Sequence, residues 1–377
     1  MHILVLNCGS ASVKYSLYDA EEDRVLTGGV VEDVACYERA VNAALEHAVS
    51  DPARIAAVGH RVVHGGARFN GPVVIDASVE REIEALCELA PLHNPPNLRG
   101  YRVSRAALPR CPHVAVFDTA FHQTMPEHAW HYAVPREMAV RHQLRRYGFH
   151  GTSHRYVAAR YAQLHGRGPE AFKLISCHLG NGCSTCAVDR GRSVDTSMGF
   201  TPLEGLVMGT RAGDIDPGVL LHVMEKEAFG PAEARRFLNR ECGLRGVSGV
   251  SHDMRELLAC AAAGNERAAL AIAVFCYRVK KYIGASFAAL DGADAVIFTG
   301  GIGENAAPVR ARICESLGAL GIVLDEEKNN AAAGSEAEIS AAGARTRVWV
   351  IPTREELLIA RETRAALLNA AWLPEAR

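Results

Sequence analysis

The stretch from Phe172 to Pro217, FKLISCHLGNGCSTCAVDRGRSVDTSMGFTPLEGLVMGTRAGDIDP, constrains the fold more than any other. Lys173 to Cys177 is a short apolar run that reads as a strand. Gly180-Asn181-Gly182 tolerates positive φ, so the chain can turn back as a hairpin, and Ser184 to Val188 is the returning strand. Such a loop exposes backbone N–H groups with no side chains in the way, which is the arrangement phosphate oxygens require. Downstream, Asp195-Thr196-Ser197, Thr210-Arg211 and Gly213-Asp214-Ile215-Asp216-Pro217 cluster polar groups of the kind used in phosphoryl transfer. A hairpin followed by an ordinary surface loop is the bland alternative. Against it, the pattern recurs at the start of the chain. Met1 to Leu6 is apolar, Asn7-Cys8-Gly9-Ser10 is the loop, and Val13 to Tyr18 returns with Lys14 in it. Two strand–glycine loop–strand units suggest a duplicated α/β domain, although the identity between the copies is low.

The chain has 377 residues, enough for two or three domains of about 150 residues. Its hydrophobic fraction of 49% is that of a globular protein, and a net charge of −2 offers no field for nucleic acid or anionic membrane. The eleven cysteines are scattered, and the N-terminus lacks a basic leader, so reduced thiols in a cytoplasm are expected. Cys183 and Cys186 fall on opposite faces of one strand and chelate zinc poorly. No apolar run reaches the ~20 residues of a membrane span.

In chain order, Arg24 to Val31 reads as a strand, Tyr37 to Val49 as a helix, and Ala56 to Val63 as a strand carrying Arg61 at its end. An arginine there can meet an anion or form an edge salt bridge. Val79 to Ala90 reads as a helix. The loop Pro91-Leu92-His93-Asn94-Pro95-Pro96-Asn97 is stiffened by three prolines, and a helix from Leu98 to Leu108 follows. His113 to Phe117 is a buried strand ending at Asp118, which either faces a ligand or caps the next turn. Ser153 is the expected N-cap of a helix Arg155 to His165, with His150 in the turn before it. A long helix spans Glu266 to Leu290, its apolar positions read as Leu270, Ala273, Val274, Tyr277, Tyr282 and Ala285. The chain closes with a strand Thr346 to Ile351 and a helix of about residues 353–369 bearing Glu355 and Glu356 in its first turn.

Gly301-Ile302-Gly303-Glu304-Asn305-Ala306 fits the dinucleotide fingerprint, with a strand expected at Gly321 to Leu324 and Asp325 beyond it. A nicotinamide dehydrogenase is therefore the rival reading. Glu304 argues against it, because it places an anion in a pyrophosphate loop, and the reading leaves both hairpins, Arg61 and Arg211 without a role.

Read together, Gly59-His60-Arg61-Val62-Val63-His64-Gly65-Gly66, Arg146 to His154, Ser193 to Pro217 and Thr299 to Asn305 resemble the acetate kinases, from Leu4 to about Thr363. The resemblance implies an α/β fold of two ribonuclease-H-like, actin-like ATPase domains with a nucleotide cleft between them, here residues 1–149 and 150–377, with the final helix packing back on the N-terminal domain. It implies reversible phosphorylation of acetate by ATP, giving acetyl phosphate and ADP and feeding acetyl-CoA formation. Propionate or butyrate is the alternative substrate. Asp118, His150 and Arg211 would be catalytic. Arg61 would bind the substrate carboxylate, with Val63, Leu92, Phe149 and Pro202 forming a pocket for the methyl group and His93 beside it. Lys14, the segment His178, Leu179, Gly180, Asn181, Gly182, the triplet Asp253, Met254, Arg255, and Gly301, Ile302, Gly303, Glu304, Asn305 would hold ATP. Asn7 and Glu355 would help place Mg²⁺, with Mn²⁺ as a substitute. A cytoplasmic homodimer is the expected form.

Overall fold

The computed structural model describes residues 1–9, 12–32, 37–48 and 54–369. Ser10 of the first glycine loop lies outside the described residues. The chain divides into two compact units: Met1–Gln123 joined by the segment from Arg354 onward, and Thr124–Thr353.

The first unit is built on β1 (His2–Cys8), β2 (Ser12–Asp19), β3 (Arg24–Glu32), β4 (Ile55–Val62), β5 (Val73–Val74) and β6 (His113–Phe117), in the order β3-β2-β1-β4-β6-β5. The first three strands are antiparallel. β4 runs parallel to β1 and to β6, and the two-residue β5 closes the edge antiparallel to β6. Ile3 to Leu6 are all buried, as befits a strand covered on both faces. One core layer gathers Leu4, Leu6, Val13, Val41 and Leu45. Another gathers Val62, Phe69, Ile83, Leu98, Tyr101 and Phe117. The C-terminal helix Glu355–Asn369 packs on β1, β4 and β6. It comes so close that a Cβ on Gly59 would sit 2.4 Å from Thr363 Oγ1, which requires glycine in the middle of β4.

Two buried histidines bridge β4 and β6. His60 Nε2 lies 2.9 Å from His113 Nδ1, and the rings stack 5.2 Å apart. His113 Nε2 faces the Leu108 carbonyl at 3.3 Å, which only accepts, so His113 carries its proton there and accepts from His60. Burial drives the His113 pKa down to about 4 and that of His60 well below the usual value. Burial, with His93 adding, also lowers His64 to about 4. A histidine whose folded pKa is depressed binds fewer protons folded than unfolded. Its stabilising contribution is complete above the unfolded pKa and is lost as pH falls from about 6.5 towards 4. Urea titrations are expected to show a loss of about 2 kcal/mol each for His64 and His113 between pH 7 and pH 5, with His60 acting in the same direction. An unchanged urea midpoint at pH 5 would contradict this.

The second unit repeats the plan. β7 (Lys173–Leu179), β8 (Cys183–Asp189) and β9 (Arg192–Thr196) are antiparallel. β10 (Ala295–Thr299) is parallel to β7 and to β12 (Arg347–Val350), and the two-residue β11 (Ala337–Glu338) closes the edge antiparallel to β12. The order β9-β8-β7-β10-β12-β11 matches the first sheet strand for strand. The duplication is thus visible in topology where sequence identity is low.

Several expectations need correction. The helix over the proline loop starts at Asn94, not Leu98, because Pro95 and Pro96 occupy its first turn, where a missing N–H costs nothing. The helix expected to begin at Arg155 runs Gly151–Leu164, with His150 as its N-cap residue and Ser153 inside the first turn. Gly300–Asn305 is helical. Gly321 to Leu324 forms no strand, only isolated bridges from Ile322 to Thr346 and Leu324 to Ser340. The helix Glu266–Ala289 buries Ala268, Ala271, Ile272, Phe275, Cys276, Val279 and Ile283, leaving Leu270 and Tyr277 more than half exposed. The buried stripe carries Ile272, Phe275, Val279 and Ile283 as well as alanines, so large and small apolar residues lie on both faces and periodicity alone did not distinguish them.

Candidate functional site

Each unit carries one cluster of the expected residues. In the first, Arg61 stands near the carboxyl end of β4 and Asp118 just beyond that of β6, where parallel strands present ligand-facing groups. Arg61 Nε lies 3.0 and 3.1 Å from the two Asp118 oxygens, Nη1 reaches Asn7 Oδ1 at 3.3 Å, and Glu355 Oε2 lies 3.9 Å from Nε. One guanidinium therefore gathers oxygen groups from β1, β6 and the C-terminal helix. Burial opposes the Arg61 charge, but Asp118 and then Glu355 outweigh it and raise its pKa above the usual arginine range. Burial pushes Glu355 up to about 7, with Arg61 opposing and Asp118 adding. Lys14 is the cross-strand partner of Asn7, so both project from one face of the sheet.

The next residues along are held by side chains that sequence reading passed over. Asn97 Oδ1 accepts from Val63 N and its amide donates to Cys8 O, while Asn94 makes a reciprocal pair with the His64 backbone. Asn94 and Asn97 are three apart in the first helical turn, and the Asn-Pro-Pro-Asn spacing was the available signal. Val63 is buried. Leu92 is 43% exposed, on a surface groove with Pro91, Pro95 and Arg99. His93 is half-buried, close enough to His64 to bear on its pKa.

In the second unit the hairpin Gly180-Asn181-Gly182 joins β7 to β8. Positive φ, the reason expected for these glycines, is not used at either one. At Gly182 a close approach favours glycine instead. A Cβ on Gly182 would lie 3.3 Å from His150 Nε2 and Cε1 and 3.6 Å from Arg211 Nη1. His150 itself takes φ 57°, a left-handed conformation that costs a non-glycine residue about 1–2 kcal/mol and marks functional loops. Its ring stacks on His178 with centroids 4.3 Å apart, and Ser153 Oγ lies 2.7 Å from His178 Nδ1. Phe149, beside His150, is buried.

Arg211 Nη1 donates to the Pro202 carbonyl at 3.0 Å and contacts Met208 Sδ. Among the described residues it meets no carboxylate. Burial lowers its pKa, yet an arginine remains cationic.

The remaining nucleotide candidates join this cluster stepwise. Asn181 Oδ1 lies over Gly209, which is also near the His252 carbonyl, next to Asp253. Asp253 caps the helix Met254–Ala262 and pairs with the exposed Arg255, while Met254 is buried. Leu179 packs on Gly300, whose φ of +75° is the place where positive φ is needed. A Cβ on Gly180 would come 3.9 Å from Gly301 N. The Glu304 carboxylate is engaged by its own loop: its Oε1 accepts from Gly300 N at 2.8 Å, Thr299 Oγ1 at 3.3 Å and Thr353 N at 3.1 Å. Asn305 donates to Gly301 O, and Ile302 is half-buried. Gly303 and Glu304 give their carbonyls to Arg310, a fully buried guanidinium bound on all sides by carbonyl and amide oxygens. The Arg310 contribution was not read from sequence, since its partners Asn329 and Ala332 are distant in the chain.

Two α/β units of one topology, with three antiparallel and two parallel main strands each, are the architecture of the actin-like ATPases and not of an open parallel dinucleotide fold. The acetokinase family model matches residues 33–361. An acetate kinase of Heliobacterium modesticaldum is 49% identical over 96% of this chain and 98% of its own. The crystal structure of Porphyromonas gingivalis acetate kinase superposes with TM-score 0.91 at 43% identity, over 97% of this chain and 99% of that one. A propionate kinase from Francisella tularensis superposes with TM-score 0.89 at 41% identity, over 97% and 99%. The chain belongs to the acetokinase family.

Proposed function

We propose that this protein transfers the γ-phosphoryl group of ATP to acetate, reversibly forming acetyl phosphate and ADP. The single observation that carries the reading within the structure is Arg211. A largely buried cation without a carboxylate partner, beside His150 and a glycine hairpin, is a costly arrangement unless an anion is its ligand.

Arg61 binds the substrate carboxylate. Asp118 takes Nε and one N–H of Nη2, Asn7 takes one N–H of Nη1, and one N–H on each of Nη1 and Nη2 is left to the ligand. Val63, Leu92, Phe149 and Pro202 are assigned to the methyl group, with His93 beside them. The nucleophile is ionised at neutral pH, so no general base is required. Asp118 therefore orients Arg61 and waters and does not remove a proton. Lys14, His178–Gly182, Asp253–Arg255 and Gly301–Asn305 are assigned to the nucleotide. Arg211 and His150 supply charge and a hydrogen bond to the equatorial oxygens, where negative charge spreads in the transition state.

Asn7, Asp118 and Glu355 offer the oxygen donors that Mg²⁺ or Mn²⁺ takes. Among the described residues no group of three or more His, Cys, Asp or Glu is placed to hold a metal, which fits an ion that draws most of its ligands from phosphate and water. Bound there, the ion would neutralise phosphate charge. We further assign the protein to the cytoplasm as a homodimer; no described helix is long and apolar enough to cross a membrane.

Propionate is the second reading, favoured by the likeness to a propionate kinase. One methylene changes binding by only about 1–3 kcal/mol. A hydroxamate-trap assay with ATP, Mg²⁺ and acetate, propionate or butyrate tests both: the largest kcat/KM is expected with acetate. Absence of ATP-dependent hydroxamate formation with all three acids would overturn the proposal.

A further inference from the structure

Behind His150 lies a run of buried polar side chains that the proposed reaction does not use directly. Ser184, on β8, places Oγ 2.9 Å from His150 Nδ1 and 2.7 Å from His154 Nε2. His154 Nδ1 in turn lies 2.9 Å from Ser176 Oγ on β7. Ser176, His154 and Ser184 are fully buried.

The direction of the hydrogen bonds follows from counting protons. Each hydroxyl has one, and each neutral imidazole has one N–H. Among the described residues Ser176 Oγ has no other hydrogen-bond partner, so its proton goes to His154 Nδ1. The reverse arrangement would bury an unsatisfied O–H, a penalty of about 1–3 kcal/mol. His154 then carries its proton on Nε2 and donates to Ser184 Oγ. The Ser184 proton is left for His150 Nδ1, which puts the His150 proton on Nε2. That is the edge turned towards Gly182 and Arg211, as the 3.3 Å and 3.6 Å approaches to a Gly182 Cβ show.

We propose that Ser184, oriented by the His154–Ser176 pair, is a positioning residue that holds His150 as its Nε2–H tautomer, so that a neutral N–H donor stands beside the Arg211 cation. Two cations at this point would repel, whereas a neutral donor and one guanidinium together serve a charged oxygen without that cost. The stack on His178, itself held by Ser153, fixes the ring plane, and Ser184 fixes which nitrogen is protonated. No bond is made or broken by Ser184. The effect on turnover rests on the phosphoryl-transfer reading; the tautomer does not.

The test starts with the wild-type protein labelled with ¹⁵N-histidine. Two-bond ¹H–¹⁵N correlation at pH 8, with His150 assigned from its loss in His150→Gln, is expected to show protonated Nε2 and bare Nδ1. A protonated Nδ1 overturns the inference whether or not the protein turns over acetate. In Ser184→Ala, kcat is expected to fall about tenfold, the lower end of the loss when a partner orienting a metal-bound imidazole is removed. KM for acetate and ATP should stay within about twofold. An unchanged kcat, or a change confined to KM, also overturns the inference. Failure of the functional reading looks different: the predicted tautomer with no hydroxamate formed by the wild type.

Discussion

Replacing Arg211 with alanine is expected to lower kcat by about 10³-fold or more, the scale of loss for an arginine that clamps a transferring phosphoryl group. Stability should hardly suffer. Arg211 lacks a carboxylate partner among the described residues, and its burial already disfavours its charge, so removing it relieves desolvation while forfeiting only neutral contacts, to the Pro202 carbonyl and Met208 Sδ. The combination is diagnostic: a large loss of kcat with Tm within a few degrees of the wild type. A loss confined to KM would mean that Arg211 binds the ground state and the transition state equally, contrary to its assignment.

The second large effect concerns Asp118, and here activity and stability should fall together. Asp118 is 0% exposed and grips Arg61 through both oxygens. Asp118→Ala strands a guanidinium that Glu355 meets only at 3.9 Å, which is expected to cost about 3 kcal/mol, the low end for breaking a buried pair because Arg61 is partly exposed. Chemical denaturation measures that. Asp118→Asn keeps the shape and removes the charge; kcat is expected to drop about 10²-fold or more even at saturating Mg²⁺. Near-full activity of Asp118→Asn would exclude a role in orienting Arg61 and the metal's waters alike.

Legibility in the sequence varied with the distance over which a feature is determined. The strand ends that carry Arg61 and Asp118, and the hairpin at Gly180 to Gly182, were readable because short apolar runs and glycine spacing are local signals. The reason for the glycines was not. Gly182 is favoured by the close approach of the His150 ring, which is not its neighbour in the chain. The helix entry at His150 was misplaced by four residues because a histidine at positive φ gives no local sign, while Ser153 offered a plausible cap that instead holds His178. Glu304 looked like an obstacle to phosphate in sequence and proved to be a clasp on its own loop, bonded to Thr353 far along the chain. Arg61 posed the opposite ambiguity, anion site or salt bridge, and the structure shows the salt bridge with further N–H groups remaining.

By itself the sequence determined the two strand–loop–strand hairpins, the α/β class and the residue types available for phosphoryl chemistry, since hydrophobic periodicity and glycine placement act over a few residues. The tertiary structure alone decided which of those residues meet: Arg61 with Asp118 across 57 positions, and His150 with Ser184 across 34. Such pairings depend on strand order and register, which arise only when the sheets assemble and buried polar atoms must find partners.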